Sequence, residues 1–155
     1  MNLIGDRFDN QEGGIEKGSN GLNYVLGTPT DIIDHTKNFI RNIKGRNVFL
    51  INQVPEAGWN VPDMVALKPD SDLRDVSTSY SVYEYKNEKI MKLFSDLKDQ
   101  PHISIIEAES LVCSKKTRRC LNSKDGKSLY RDDDHPSILY SKMIAEEFKK
   151  IAFDG

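Results

Sequence analysis

The residue types best suited to proton transfer lie near the carboxyl end of the chain, in the segment YRDDDHPS at residues 130–137. Asp132 stands three residues before His135, at the entrance to a segment with helical periodicity. At such a turn the carboxylate can accept the Nδ1–H of the imidazole. This contact fixes the tautomer and stabilises the imidazolium that forms when Nε2 takes a proton from a nucleophile. The spacing therefore suits a catalytic Asp–His pair.

Two other interpretations of this segment stay open on its residue types alone. Three consecutive aspartates at the start of a helix can complement the helix dipole, and His135 is then incidental. Carboxylates with one imidazole can also hold a divalent cation. We expect no metal and no other cofactor.

Segments with helical periodicity alternate with short apolar runs along the chain, and they predict the helices and strands that must position this segment. Residues 28–31 (TPTD) are a helix start signal, followed by apolar residues at helical spacing up to a stop at Gly45. Val48–Ile51 and Ile103–Ile106 are continuous apolar runs typical of buried strands, and residues 137–153 form an amphipathic helix. Such alternation predicts a layered α/β domain. Further expectations are a helix from Tyr83 to Leu97, short extended pieces at residues 3–4, 24–26 and 129–130, and irregular chain at 68–80.

The segment after the first buried strand, NQVPEAGWNVPDMVAL at residues 52–67, contains two prolines and a glycine within eight residues. We therefore expect a loop at the carboxyl end of the strand, the edge at which α/β sheets bind ligands. Trp59 either forms a wall of an acceptor site, since aromatic faces pack on sugar rings, or covers the core. Glu56 either contacts a polar ligand or faces solvent.

Length and composition exclude several classes of function. The chain has 155 residues, enough for one domain, and its 22 basic and 24 acidic side chains give a net charge of −2. This balance argues against a nucleic-acid binder, which needs a basic surplus. No apolar run is long enough to span a membrane, and residues 1–10 lack the pattern of a secretory signal.

The only two cysteines, Cys113 and Cys120, flank a basic segment. Two cysteines cannot form a four-thiolate zinc site. They could be unrelated reduced thiols, a local disulfide or a reactive thiol pair. A polar, basic intervening segment suits a surface loop closed by a disulfide, which would imply an oxidising compartment.

Three blocks in order resemble the SGNH (GDSL-type) esterase superfamily, and specifically the SGNH domain fused to membrane acyltransferases of the acyltransferase-three family. The blocks are NVFLINQVPEAGWNVP (residues 47–62), the cysteine pair, and LYRDDDHPS (residues 129–137). Members of that family O-acylate bacterial surface polysaccharides. The likeness covers roughly residues 1–150.

The resemblance implies a three-layer α/β sandwich with a parallel sheet, formed by residues 1–155 as the carboxy-terminal portion of one SGNH-like domain. It implies that Asp132 orients His135 as general base, with Asp133 and Asp134 capping the helix or facing solvent. It also implies an extracytoplasmic location, a carbohydrate acceptor, and an acyl donor reached through a membrane acyltransferase domain.

The sequence departs from the family at the nucleophile. The family serine follows a Gly-Asp pair, but here Gly5-Asp6 is followed by Arg7. Either Arg7 has replaced the serine, or the chain begins partway through the domain; we favour the second explanation. The sequence therefore leaves enzymatic activity open. The alternative to an acyltransferase or esterase domain is a non-catalytic module that binds carbohydrate or another partner.

An oxyanion hole has three candidate residues, Asn10, Gly13 and Gly14, because glycine lets backbone N–H groups converge on an anion. An ordinary flexible loop is the competing interpretation of this segment.

Overall fold

A computed structural model describes residues 14–17, 23–26, 29–67 and 76–153 of the chain. Its helices are α1 (Pro29–Arg41), α2 (Val61–Leu67), α3 (Tyr80–Ser95) and α4 (Ile138–Phe153), with a 3₁₀ turn at Ala108–Leu111. Its strands are β1 (Gly14–Lys17), β2 (Asn23–Leu26), β3 (Val48–Ile51), β4 (Ser77–Ser79), β5 (Ile103–Ile106), β6 (Cys113–Ser114), β7 (Arg119–Leu121), β8 (Ser123–Lys124) and β9 (Lys127–Ser128).

The two apolar strands β3 and β5 form a parallel pair, with Val48 opposite Ile103 and Ile51 opposite Ile106. Helices α1 and α3 cover one face, where Ile40 of α1 and Leu93 of α3 pack around Ile103.

Successive strand residues point to opposite faces. Val48 and Leu50 pack into the cluster under α1 and α3, so Phe49 faces the other side of the sheet. There its ring lies 5.0 Å, centroid to centroid, from that of Phe148 in α4. Helices on both faces of a parallel pair confirm the expected three-layer α/β arrangement.

A second core cluster lies where α4 begins and supports the segment that precedes it. Tyr130, Tyr140 and Leu129 are almost fully buried there, together with Val61 at the start of α2. The Tyr140 hydroxyl donates a hydrogen bond of 2.8 Å to the carbonyl of Ala108. Burying an aliphatic side chain such as Leu129 contributes about 1.5–3 kcal/mol, and the buried tyrosines place both ends of the Asp–His segment against the core.

The cysteines close a small antiparallel sheet with the strand order β4-β7-β6. Cys113 of β6 lies directly opposite Cys120 of β7, and the two form a disulfide. The expected disulfide is thus present in the structure.

The prediction of a loop throughout residues 52–67 is wrong for its last seven residues, which form α2. The side chain of Asn60 accepts a hydrogen bond of 3.2 Å from the backbone N–H of Asp63 and caps the helix. Pro62 falls in the first turn, where its missing N–H would have had no partner within the helix. Both residues therefore favour a helix start here.

The prediction of irregular chain at residues 68–80 is also wrong where the structure describes it. Ser77–Ser79 form β4 by pairing with β7, and Tyr80 begins α3. Residues 68–75 lie outside the described residues, as does the extended piece expected at residues 3–4. The piece expected at 24–26 is confirmed within β2, which pairs with β1.

Among the described helices, none is both long enough and apolar enough to cross a lipid bilayer.

Candidate active site

The segment between Tyr130 and Ser137 is a closed loop held at its base. Tyr130 and Pro136 form an isolated β-bridge, and the N–H of Arg131 donates to the carbonyl of His135 at 2.8 Å. The N–H of Ser137 donates to Leu129 at 2.9 Å. These backbone contacts close the loop at its base.

Inside the loop, the Asp132 carboxylate lies against the imidazole of His135. Both carboxylate oxygens are 3.0 Å from Nδ1. Oδ1 also accepts the backbone N–H groups of His135, at 2.8 Å, and of Asp134, at 3.2 Å. These contacts, with the His135 N–H the strongest, hold the pKa of the Asp132 carboxyl well below its usual range.

This geometry has a direct consequence for the tautomer. An ionised carboxylate can only accept hydrogen bonds, so Nδ1 of His135 carries the hydrogen and Nε2 is the nitrogen able to accept a proton. The His135 side chain is 59% exposed, which leaves the ring accessible. Residues 132 and 135 are therefore brought together in the arrangement that a general base requires.

Asp134 also contacts the imidazole, with Oδ1 2.7 Å from Nδ1 of His135. The expectation that Asp134 only caps the helix or faces solvent is wrong, because the tight turn after Asp132 brings its side chain back toward the ring. Two carboxylates therefore face Nδ1, and both would stabilise an imidazolium. The sequence held a signal for this, since one loop contains three consecutive aspartates.

The same three side chains, Asp132, Asp134 and His135, are the ones that could hold a metal ion in the part of the chain that the structure describes. One ligand atom from each lies within 4.8 Å of the others. Nδ1 of His135 already contacts a carboxylate oxygen of Asp132 at 3.0 Å and one of Asp134 at 2.7 Å.

The loop that carries Trp59 is joined to the Asp–His loop by backbone hydrogen bonds. The N–H of Ala57 donates to the carbonyl of Asp133 at 2.7 Å, and that of Val61 donates to Asp132 at 3.1 Å. Gly58 between them has φ of +79°, a conformation that glycine adopts without steric cost. Trp59 follows this turn and is 38% exposed.

A cavity of about 310 Å³ opens beside Trp59 and is named here the Trp59 cavity. Its walls include Glu56, the strand β4, Val82 and Lys86 of α3, and Arg119 of β7. The carboxylate of Glu56 is 2.9 Å from Nζ of Lys86. Glu56 is thus ion-paired at the wall of a cavity rather than simply turned toward solvent.

A second polar group lies at the carboxyl ends of the parallel strands and was not predicted from the sequence. Nδ2 of Asn52, after β3, donates to both carboxylate oxygens of Glu109, after β5, at 3.1 and 3.0 Å. Burial raises the pKa of Glu109. Both residues line a cavity of about 430 Å³. A polar residue directly after a buried strand was the one signal available.

The other predicted site residues fall largely outside the described part of the chain. Asn10, Gly13 and Arg7 are not among the described residues, and Gly14 is the first residue of β1. The oxyanion hole therefore stays a prediction.

A family model described as "SGNH domain (fused to AT3 domains)" matches residues 3–150. The chain belongs to this family. The match confirms the resemblance to SGNH domains of the acyltransferase-3 family. No curated protein and no solved structure matches the chain significantly.

The matched range of this SGNH domain contains the Asp–His loop, the Trp59 loop and the disulfide. Domains of this type are fused to AT3 domains, which makes the chain an SGNH-type domain of acyltransferase proteins.

Proposed function

We propose that this SGNH domain serves O-acyl transfer to, or ester hydrolysis on, a carbohydrate, with Asp132 orienting His135 and His135 acting as general base. The observation that supports it is the contact of both Asp132 oxygens with Nδ1 at 3.0 Å. This contact leaves Nε2 as the proton acceptor.

In the proposed reaction Nε2 of His135 takes the proton of a nucleophilic hydroxyl as its oxygen bonds to the acyl carbonyl carbon. The imidazolium then gives that proton to the departing alcohol oxygen as the original ester bond breaks. Asp132 and Asp134 lower the free energy of the imidazolium while the proton is held.

The proposed setting is extracytoplasmic, with a surface polysaccharide as acceptor and an acyl donor delivered through a membrane acyltransferase domain. The fusion of family members to AT3 domains supports this setting. The Cys113–Cys120 disulfide also supports it, because disulfides persist in oxidising compartments. The position of Trp59 beside the Asp–His loop supports a sugar, whose ring packs well on an aromatic face.

The sequence offers no evident nucleophile, since Arg7 follows Gly5-Asp6 and a guanidinium cannot attack a carbonyl. We therefore expect little esterase turnover from the protein with this sequence. Among the described residues, the ring contacts of His135 are with aspartates and not with a serine.

A serine-directed fluorophosphonate probe tests the catalytic proposal. An active enzyme is labelled, and the label is lost in His135→Ala. Arg7→Ser, compared with Arg7→Ala, tests whether Arg7 stands in the place of the nucleophile. Labelling of the serine variant alone, abolished by adding His135→Ala, would establish both the replacement and the competence of the Asp–His pair.

The second candidate is a non-catalytic module that binds carbohydrate, and the Trp59 cavity favours it because that cavity needs no nucleophile. This candidate predicts no labelling of any variant, together with binding of polysaccharide that weakens in Trp59→Ala. Unchanged binding in that variant would count against a sugar site at the Trp59 cavity.

A further inference from the structure

The walls of the Trp59 cavity combine an aromatic face with a row of hydroxyl groups. Trp59 lies on the loop after β3, while Ser77, Thr78 and Ser79 come from β4. An aromatic face suits the C–H face of a sugar ring, and hydroxyl groups can exchange hydrogen bonds with sugar hydroxyls. The aromatic face and the hydroxyl groups suit a neutral carbohydrate and an acidic one equally.

The charged residues of the cavity distinguish between a neutral and an acidic carbohydrate. Three of the lining residues carry a charge at neutral pH: Glu56, Lys86 and Arg119. Glu56 and Lys86 lie 2.9 Å apart and offset each other. Among the described residues that line the cavity, Arg119 then carries a positive charge that is not paired with a described carboxylate.

The contacts of Arg119 are with neutral groups. Its Nε donates to the hydroxyl of Ser77 at 2.9 Å, and its Nη2 donates to the carbonyl of the same residue. A guanidinium has five N–H groups, so these two bonds leave three for another acceptor. The neighbouring Arg118 differs, because it is paired with Glu84 and does not line the cavity.

The position of Arg119 is also fixed. It lies opposite Ser79 in the β4–β7 pairing and opposite Ser114 in the β6–β7 pairing, next to the disulfide at Cys120. A half-buried guanidinium held by two hydrogen bonds loses little freedom on binding an anion, which favours affinity.

We infer that the Trp59 cavity binds an acidic sugar, whose carboxylate accepts hydrogen bonds from Arg119 while its ring packs on Trp59. This inference rests on the proposed function for the substrate class, and it adds that the acceptor is anionic. Arg119 then determines specificity for the charged sugar and takes no part in proton transfer.

Trp59 is the only tryptophan of the chain, so its fluorescence reports directly on this cavity. We would titrate the protein with two matched pairs of trisaccharides, each consisting of an acidic sugar and its neutral counterpart. The first pair is α-1,4-linked galacturonic acid and galactose, and the second is glucuronic acid and glucose. In low salt, at least one acidic trisaccharide should bind about tenfold to a hundredfold more tightly than its neutral counterpart, as charge-assisted hydrogen bonds allow. Added salt should weaken only the binding of the acidic sugar.

Arg119→Gln should remove this preference, and Arg118→Gln is the matched control that should keep it. Equal affinity for acidic and neutral trisaccharides in the unmodified protein would overturn the inference while leaving the proposed function intact. A preference that persists in a folded Arg119→Gln variant would overturn the role of Arg119. Absence of any carbohydrate binding would instead contradict the substrate class of the proposed function. The salt titration needs no variant, so it remains decisive if Arg119→Gln does not fold.

Discussion

Two aspartates face Nδ1 of His135, and backbone N–H groups hold one of them, Asp132, in place. Asp132 accepts two backbone N–H groups as well as the imidazole, so its carboxylate has a fixed position. Asp134 reaches Nδ1 with one oxygen at 2.7 Å. In the proposed reaction Asp132 orients the ring, and Asp134 adds negative charge beside it.

The first prediction concerns the tautomer of His135. Because both contacts of the ring involve Nδ1, we expect the hydrogen of the neutral imidazole to be on Nδ1. Nitrogen-15 NMR of the neutral ring should show this tautomer. Replacing both Asp132 and Asp134 by alanine should shift the population toward the Nε2–H form, since either carboxylate alone can still accept the Nδ1–H, whereas Asp133→Ala should not. A protein that already shows mainly the Nε2–H form would contradict the proposed orientation.

The second prediction follows from the lowered pKa of Asp132, which is caused chiefly by the backbone N–H of His135. A carboxyl whose pKa is lower in the folded state than in the unfolded state stabilises the fold when ionised. That contribution is complete above the unfolded pKa of about 3.9 and is lost as the pH falls below it. Urea unfolding between pH 7 and pH 2.5 should therefore show a smaller loss of stability in Asp132→Asn than in the unmodified protein.

Asp133→Asn is the control for this titration, because the contact of Asp133 among the described residues is made by its backbone carbonyl, which accepts the N–H of Ala57. Its stability should follow the pH profile of the unmodified protein. Parallel profiles for Asp132→Asn and the unmodified protein would show that the loop does not depend on the Asp132 charge.

Among the elements, those with long apolar patterns were predictable and the short polar ones were not. Val48–Ile51, Ile103–Ile106 and the helix at Ile138–Phe153 follow from continuous or periodic apolar residues. The strands β4 and β6–β9 have two or three residues each, mostly polar, and carry no pattern of their own. β4 forms by pairing with the distant β7, whereas β6–β7 and β8–β9 are local hairpins, of which the first is closed by the disulfide.

The third prediction concerns α2, a helix in a segment that its prolines led us to predict as a loop. Asn60→Ala removes the side-chain acceptor for the N–H of Asp63 and should lower the free energy of unfolding by about 1 kcal/mol. Asn60→Asp retains the acceptor and should be close to neutral. Because Val61 bonds to Asp132, Asn60→Ala should also alter the Trp59 fluorescence. Equal stability of the alanine and aspartate variants would mean that α2 does not depend on this cap.

At the scale of the whole molecule, the sequence predicted the Asp–His loop and the Trp59 loop as candidate site segments, but it did not predict that they contact each other. Asp132, His135 and Trp59 were each identified from residue type and spacing. Their proximity depends on backbone hydrogen bonds from Ala57 and Val61 to the Asp–His loop, which join segments far apart in sequence. Backbone contacts of this kind leave no mark on residue type. The Asn52–Glu109 contact is between side chains, but it joins residues 57 positions apart that no spacing pattern relates.

The last prediction concerns the disulfide, which connects stability to binding. Replacing both Cys113 and Cys120 by alanine opens a short loop and should lower the free energy of unfolding by about 2–3 kcal/mol. The β6–β7 hairpin presents Arg119 to the Trp59 cavity, so the variant should also lose preference for acidic sugars. Dithiothreitol should reproduce both effects in the unmodified protein and change nothing further in the variant. If the reduced protein kept both its stability and its preference, the β4–β7 pairing alone would be enough to hold Arg119 in place.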